Sequence, residues 1–173
     1  MRFRNALIAA VLGIVAAIST VVLAATTFNP AAAPTGTHVQ SGTPSCSLSG
    51  GVVNCSSYEL AGVGNTNATA TLNSNYSATV QCRNHGGQIV EVKSQVTNVP
   101  STTGQLSPKN GRLTVPSLTS APAPTDAQFE AQATCPNGNW TKETLESSIA
   151  LTSFTYTLDF AGFTGHFITI TGP

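Results

Sequence analysis

From Ser45 onward the apolar residues of this 173-residue chain return at every second position. A period of two is that of a strand with one face turned to a core. Tyr76, Ala78, Val80 and Cys82 alternate with Ser77, Thr79 and Gln81, and Ala127, Phe129, Ala131, Ala133 and Cys135 alternate with Gln128, Glu130, Gln132 and Thr134. Both runs are expected to be strands with their cysteines on the apolar face. The same pattern predicts strands over 52–58, 68–72, 89–96, 113–118, 149–160 and 167–171. Within 149–160, Ile149 and Leu151 share one parity while Phe154, Tyr156, Leu158 and Phe160 share the other. A bulge is therefore expected near Thr152 and Ser153.

Turn residues punctuate these runs at Gly50-Gly51, Asn73-Ser74-Asn75, Asn84-His85-Gly86-Gly87, Asn110-Gly111, Pro122 to Pro124 and Asn137-Gly138. Half-polar strands at this spacing predict two antiparallel sheets packed face to face. The expected fold is an all-β antiparallel sandwich, Ig-like in architecture, of eight or nine strands. The helical candidate is 142–147.

The N-terminus carries Arg2 and Arg4 ahead of residues 6–23, an uncharged and mostly apolar run broken by Ser19 and Thr20. That layout is a secretory leader, 1–24, with cleavage favoured after Ala24; Ala31 to Ala33 is a second site weakened by Pro34. The run also approaches membrane-spanning length, so an uncleaved anchor is the alternative, and the membrane is a partner in that case alone. Residues 25–44, built largely from Ala, Pro, Thr and Gly with His38, read as a flexible linker. The domain is then 45–173, long enough for one two-layer core.

Removing 1–24 leaves five basic and seven acidic residues, a net charge of −2. Charged residues make up 8% of the chain, against about a quarter in an average soluble domain. No basic stripe for nucleic acid can be assembled from so few.

Four cysteines behind a secretion signal read as two disulfides. If Gly50-Gly51 is a two-residue hairpin turn, Ser49 faces Val52, Leu48 faces Val53, Ser47 faces Asn54 and Cys46 faces Cys55. Counting from the turn makes the last a non-hydrogen-bonded pair, with Cα atoms roughly 4.5 Å apart, within bridging range. Cys82 and Cys135 then pair by elimination. The long loop so closed is worth on the order of 4 kcal/mol, and the hairpin bridge about 2 to 3 kcal/mol.

No nucleophile elbow, zinc-binding helix, phosphate loop or calcium loop is present, and neither a metal nor a cofactor is expected. His38 falls in the linker, His85 in a turn, and His166 shares parity with Ile168 and Ile170 as a strand-end residue. The acidic candidates for hydrolysis are Glu91, Glu130, Glu143, Glu146 and Asp159, of which Glu130 and Asp159 face outward by parity. Without a nucleophile, base and orienting group together, no enzyme is expected. Trp140, the single tryptophan, lies five residues beyond Cys135. It is expected to pack against the disulfide; the functional alternative is a stacking platform with Asn137 and Asn139 beside it and Tyr58, Tyr76 or Tyr156 as companions. Threonines at 69 and 71, 155 and 157, and 169 and 171 fall at alternate positions, the pattern of a hydroxyl array or of ordinary outward strand faces. Asn54, Asn67, Asn75 and Asn139 head N-glycosylation sequons.

Ser45-Cys46-Ser47-Leu48-Ser49-Gly50, then Cys55, Gly62-Val63-Gly64-Asn65, Thr79-Val80-Gln81-Cys82-Arg83-Asn84 and Cys135-Pro136-Asn137-Gly138-Asn139-Trp140 follow in order along the chain. This succession resembles small exported proteins of high-GC Gram-positive bacteria. The resemblance implies export and a small disulfide-stapled domain, with no catalytic residues to transfer. The expected function is a secreted or envelope-associated binding or structural module, meeting a protein or polysaccharide at the cell surface. The alternatives are an inhibitor or toxin-like effector acting through the loop from Pro136 to Trp140, and a hydrolase using Glu143, Glu146 or Asp159.

Overall fold

In the computed structural model, which describes residues 24–98 and 100–173, the spine of the fold is a single strand of sixteen residues, β6 (Ala68–Arg83). Every second side chain along it, from Ala68 through Leu72, Ser74 and Tyr76 to Cys82, is buried. The turn expected at Asn73-Ser74-Asn75 is corrected: these residues continue the strand. Asn75 explains why, because its Nδ2 donates to Ser153 Oγ (3.0 Å) and its Oδ1 accepts from Thr97 Oγ1 (2.6 Å). Its amide is satisfied across the sheet rather than by its own backbone, so local turn preference is overridden.

On one side β6 pairs antiparallel with β12 (Ala150–Phe160) and, further along, with β11 (Thr141–Thr144); β12 pairs with β13 (Ile168–Gly172), and β13 with β1 (Ala25–Phe28). On the other side lie β7 (Ile89–Thr97) and β8 (Ser101–Thr102). The register of β12 on β6 shifts between Leu151 and Ser153, the bulge that the change of parity requires. Two three-stranded sheets form the second layer. One is β10 (Leu118–Thr119), β4 (Val52–Cys55) and β3 (Cys46–Ser49); the other is β2 (His38–Ser41), β5 (Tyr58–Ala61) and β9 (Arg112–Val115). The fold is thus all-β, antiparallel and sandwich-like, with thirteen strands among the described residues rather than eight or nine.

Val53, Tyr58, Leu60, Leu113 and Val115 from the second layer share one core with Ala70, Leu72, Phe154, Tyr156, Leu158, Phe160, Ile168 and Ile170 from the large sheet. A smaller core of Tyr76, Ala78, Val80, Phe129 and Ala133 lies along the far half of β6. It is roofed not by a strand but by α1 (Asp126–Gln132), which corrects the strand expected from Ala127 to Cys135. Thr125 caps the helix, its N–H donating to Gln128 Oε1 (2.9 Å), and Phe129 and Ala133 bury one helical face while Ala127 and Ala131 stay exposed. Four residues apart on one face is helical spacing. The alternating alanines satisfied a strand pattern by accident, since alanine is the best helix former. The helix expected at 142–147 is likewise corrected: Thr141–Thr144 is strand β11, followed by a 3-10 turn at Glu146–Ser148.

The linker expected at 25–44 is folded. β1 adds to β13 with Thr27 opposite Thr169, β2 adds to β5, and Ala32 and Ala33 are 0% and 5% exposed. Small side chains cannot build a core alone, yet backbone hydrogen bonding to an open sheet edge needs no large side chain. The folded unit therefore takes in residues 25–44. Of the expected leader 1–24, all but Ala24 lies outside the described residues.

The hairpin register is Cys46 opposite Cys55 through Ser49 opposite Val52, with a Cys46–Cys55 disulfide. A second disulfide joins Cys82 to Cys135, tying the segment after α1 to the end of β6. Cys82 is buried, but Cys135 is half-exposed because the helix removes it from the expected apolar strand face.

Candidate functional site

One face of the seven-stranded sheet carries the core, so its opposite face is left to polar side chains. Register assembles them into rows. Thr27, Thr169, Thr157, Thr71 and Thr102 stand side by side across five strands, at about 4.8 Å per strand. The next row is Ala25, Thr171, Thr155 and Asn73. Further along β6 come Asn75, Ser77, Thr79 and Gln81, opposite Thr97, Gln95, Lys93 and Glu91 of β7. Lys93 Nζ donates to Thr79 Oγ1 (2.7 Å), and Gln81 Nε2 donates to Glu91 Oε1 (3.1 Å). The middle of this face is hydroxyls and amides, with charge at its ends.

Where β12 bulges, the face dips into a cavity of about 270 Å³ whose polar lining is Asn75, Gln95, Thr97, Thr152 and Ser153. Besides the bonds of Asn75 to Ser153 and Thr97, Thr152 Oγ1 donates to the Asn75 carbonyl (3.1 Å). The cavity floor is thus held in one arrangement by cross-strand hydrogen bonds.

At the opposite end, His166 Nδ1 lies 2.5 Å from Asp159 Oδ1, with Thr157 Oγ1 donating to Asp159 Oδ2 (3.4 Å). A second hollow of about 160 Å³ is lined there by Asn67, Thr69, Gln105 and Asp159 among others. Asp159 faces outward, as its parity implies. His166 sits in the turn before β13 rather than on a strand, exposed. Glu130 is half-buried on α1 rather than on a strand face, its Oε1 accepting from the Thr144 N–H (3.2 Å). Glu143 and Glu146 are exposed, on β11 and the 3-10 turn after it. These carboxylates are not gathered into one cleft.

Trp140 is half-buried ahead of β11 and belongs to neither core. Asn137 and Asn139 are exposed beside it, the Asn137 side chain accepting from the Asn139 N–H (3.0 Å) to fix the loop. The stacking platform with tyrosine companions is corrected, because Tyr58, Tyr76 and Tyr156 are 4%, 1% and 1% exposed. Tyr76 donates to the Gly51 carbonyl (2.7 Å), and the Tyr58 and Tyr156 hydroxyls bond each other (2.8 Å). Burial, reinforced by the neighbouring Tyr156, pushes the Tyr58 hydroxyl far above its usual range, and burial raises Tyr156 as well. Both stay neutral at any physiological pH.

Among the described residues no helix is long and apolar enough to cross a membrane, and no group of three or more His, Cys, Asp or Glu could hold a metal ion. Comparison of the chain with family models, with curated proteins and with solved structures returned no significant match.

Proposed function

We propose that the protein is an exported, non-catalytic binding module of the cell envelope whose outer sheet face takes an uncharged polysaccharide. The observation that carries this reading is the row of threonines across the outer face, exposed or half-buried at Thr27, Thr169, Thr71 and Thr102 and buried at Thr157, with the amide-lined cavity at the bulge two rows further along β6. Hydroxyls and amides that both donate and accept match a sugar's hydroxyls. Sparse charge lets an uncharged chain approach without stranding a counter-ion. Two antiparallel layers around one apolar core support an Ig-like scaffold for that surface.

The N-terminus supports export. Cleavage after Ala24 would release a chain beginning at β1, whereas cleavage at Ala31 to Ala33 would discard a strand already paired with β13. Two disulfides suit an oxidising compartment.

Sedimentation of the chain from Ala25 with insoluble envelope polysaccharide of high-GC Gram-positive cells tests the reading. Binding is expected, and Thr71→Lys with Thr155→Lys is expected to weaken it tenfold or more while leaving the melting temperature within a few degrees. Absence of binding, or binding indifferent to both substitutions, overturns it.

A second reading rests on the loop from Pro136 to Asn139, which is exposed and anchored by Cys135 at one end and β11 at the other. Such a loop suits an inhibitor that inserts into a target's cleft. Protection of one member of a protease and hydrolase panel, lost on replacing Asn137 to Asn139 with glycines, would favour it.

A further inference from the structure

β7 forms an outer edge of the large sheet, and its backbone is paired on one side. The pairing phase is fixed at both ends: the Asn84 N–H donates to the Gln88 carbonyl (3.0 Å), and the Asn98 N–H donates to the Ser74 carbonyl (3.0 Å). Alternation between these ends makes Val90, Val92, Ser94 and Val96 the residues bonded to β6. Ile89, Glu91, Lys93, Gln95 and Thr97 therefore turn both N–H and C=O outward. Among the described residues no backbone bond reaches those groups. The strand is nine residues long, without proline and without a register shift, and Ile89 and Val90 are 43% and 37% exposed. α1 covers the inner face of β6 and β7, where Phe129 packs with Val92 and Val96, and leaves this edge open. A long, straight edge without proline or bulge is a template for another strand, and the exposed Glu91 and Lys93 on it, which guard it against an unmatched strand, restrict the partner to one of complementary charge.

We infer that β7 is a self-pairing edge, joining two copies of the chain into one continuous antiparallel sheet about a two-fold axis at Val92. Charge selects that register. With the axis at Val92, Glu91 stands opposite Lys93 of the second copy, and the pair recurs by symmetry. Hydrogen-bonded pairs fall on the outward-facing residues, as the phase requires. An axis at Lys93 would set two lysines face to face, and one at Ser94 would pair Lys93 with Gln95. Opposite charges across strands stabilise and like charges repel. An isologous contact closes after two copies, so it uses up the edge without building a fibre. The result doubles the polar outer face, independently of which ligand that face takes.

Sedimentation equilibrium on the chain from Ala25 to Pro173 tests the inference, with circular dichroism confirming the fold of each variant. A concentration-dependent dimer is expected. E91K and K93E should each weaken it about tenfold or more, since each turns two attractive pairs into two repulsive ones. The double variant E91K/K93E should restore the dimer, and an equimolar mixture of the two single variants should form the heterodimer. Lys93→Pro, whose lost N–H faces outward, should give a folded monomer. A protein monomeric up to millimolar concentration overturns the inference. So does a dimer indifferent to both charge reversals and to Lys93→Pro, or a monomer whose β7 pairs only with an added extended peptide.

Discussion

The hydroxyls of Tyr58 on β5 and Tyr156 on β12 meet 2.8 Å apart inside the main core, joining the two layers of the sandwich by a buried hydrogen bond. Each is the other's means of being buried. Removing one leaves an oxygen unpaired in an apolar setting, whereas removing both leaves two rings of nearly unchanged shape. Tyr58→Phe and Tyr156→Phe are each expected to cost about 1 to 3 kcal/mol. The double variant should cost no more than either alone, a non-additivity read by urea denaturation of all four chains.

The same pair sets an alkaline limit. Both hydroxyls are raised by burial, so the unfolded chain loses these protons from about pH 10 upward while the folded chain keeps them. Stability from this source is complete below pH 10 and falls as pH rises beyond it. Ultraviolet titration should show Tyr58 and Tyr156 ionising only together with unfolding, and the Tyr58→Phe/Tyr156→Phe chain should lose that component of the alkaline transition.

The two disulfides should differ in reach. Cys46–Cys55 staples a hairpin whose strands already pair, and its removal as Cys46→Ala/Cys55→Ala is expected to cost about 2 to 3 kcal/mol. Cys82–Cys135 holds the α1 segment to β6, and Cys82→Ala/Cys135→Ala should cost on the order of 4 kcal/mol. Hydrogen exchange should localise the second effect to α1 and the small core, leaving β12 and β13 protected.

Gly62 is where the N-terminal segment is pinned. It has φ of 75°, and a Cβ there would overlap the Gly36 carbonyl. Gly62→Ala is expected to destabilise by about 2 to 4 kcal/mol through backbone strain and overlap together. Gly64, with φ of 58° and open space around it, is the control: Gly64→Ala should cost about 1 to 2 kcal/mol. Thermal melts of the two variants separate close approach from conformation.

Much of the fold is legible in residue order where a local constraint fixes the geometry. Gly50-Gly51 leaves one way to align Cys46 with Cys55, and the parity change between Leu151 and Phe154 demands the bulge. The misreadings occur where tertiary contacts outvote local preference. Asn73 to Asn75 carries turn residues, but cross-strand hydroxyls satisfy Asn75. The segment 127–133 alternates, but only Phe129 and Ala133 are buried, and the signal for α1 was the Thr125 to Gln128 spacing. Alternate threonines are visible in β6, β12 and β13; what joins them into one row is the register, together with Thr27 in a segment whose composition reads as a linker.

Export is the premise on which the proposed envelope role depends. The most direct measurement expresses the full-length chain in a Gram-positive host, separates medium, wall and membrane, and takes intact masses with and without reduction before alkylation. The expected result is protein in the medium or wall lacking residues 1–24, with all four cysteines protected until reduced. An unprocessed chain in the membrane fraction, or one with free thiols, would contradict it.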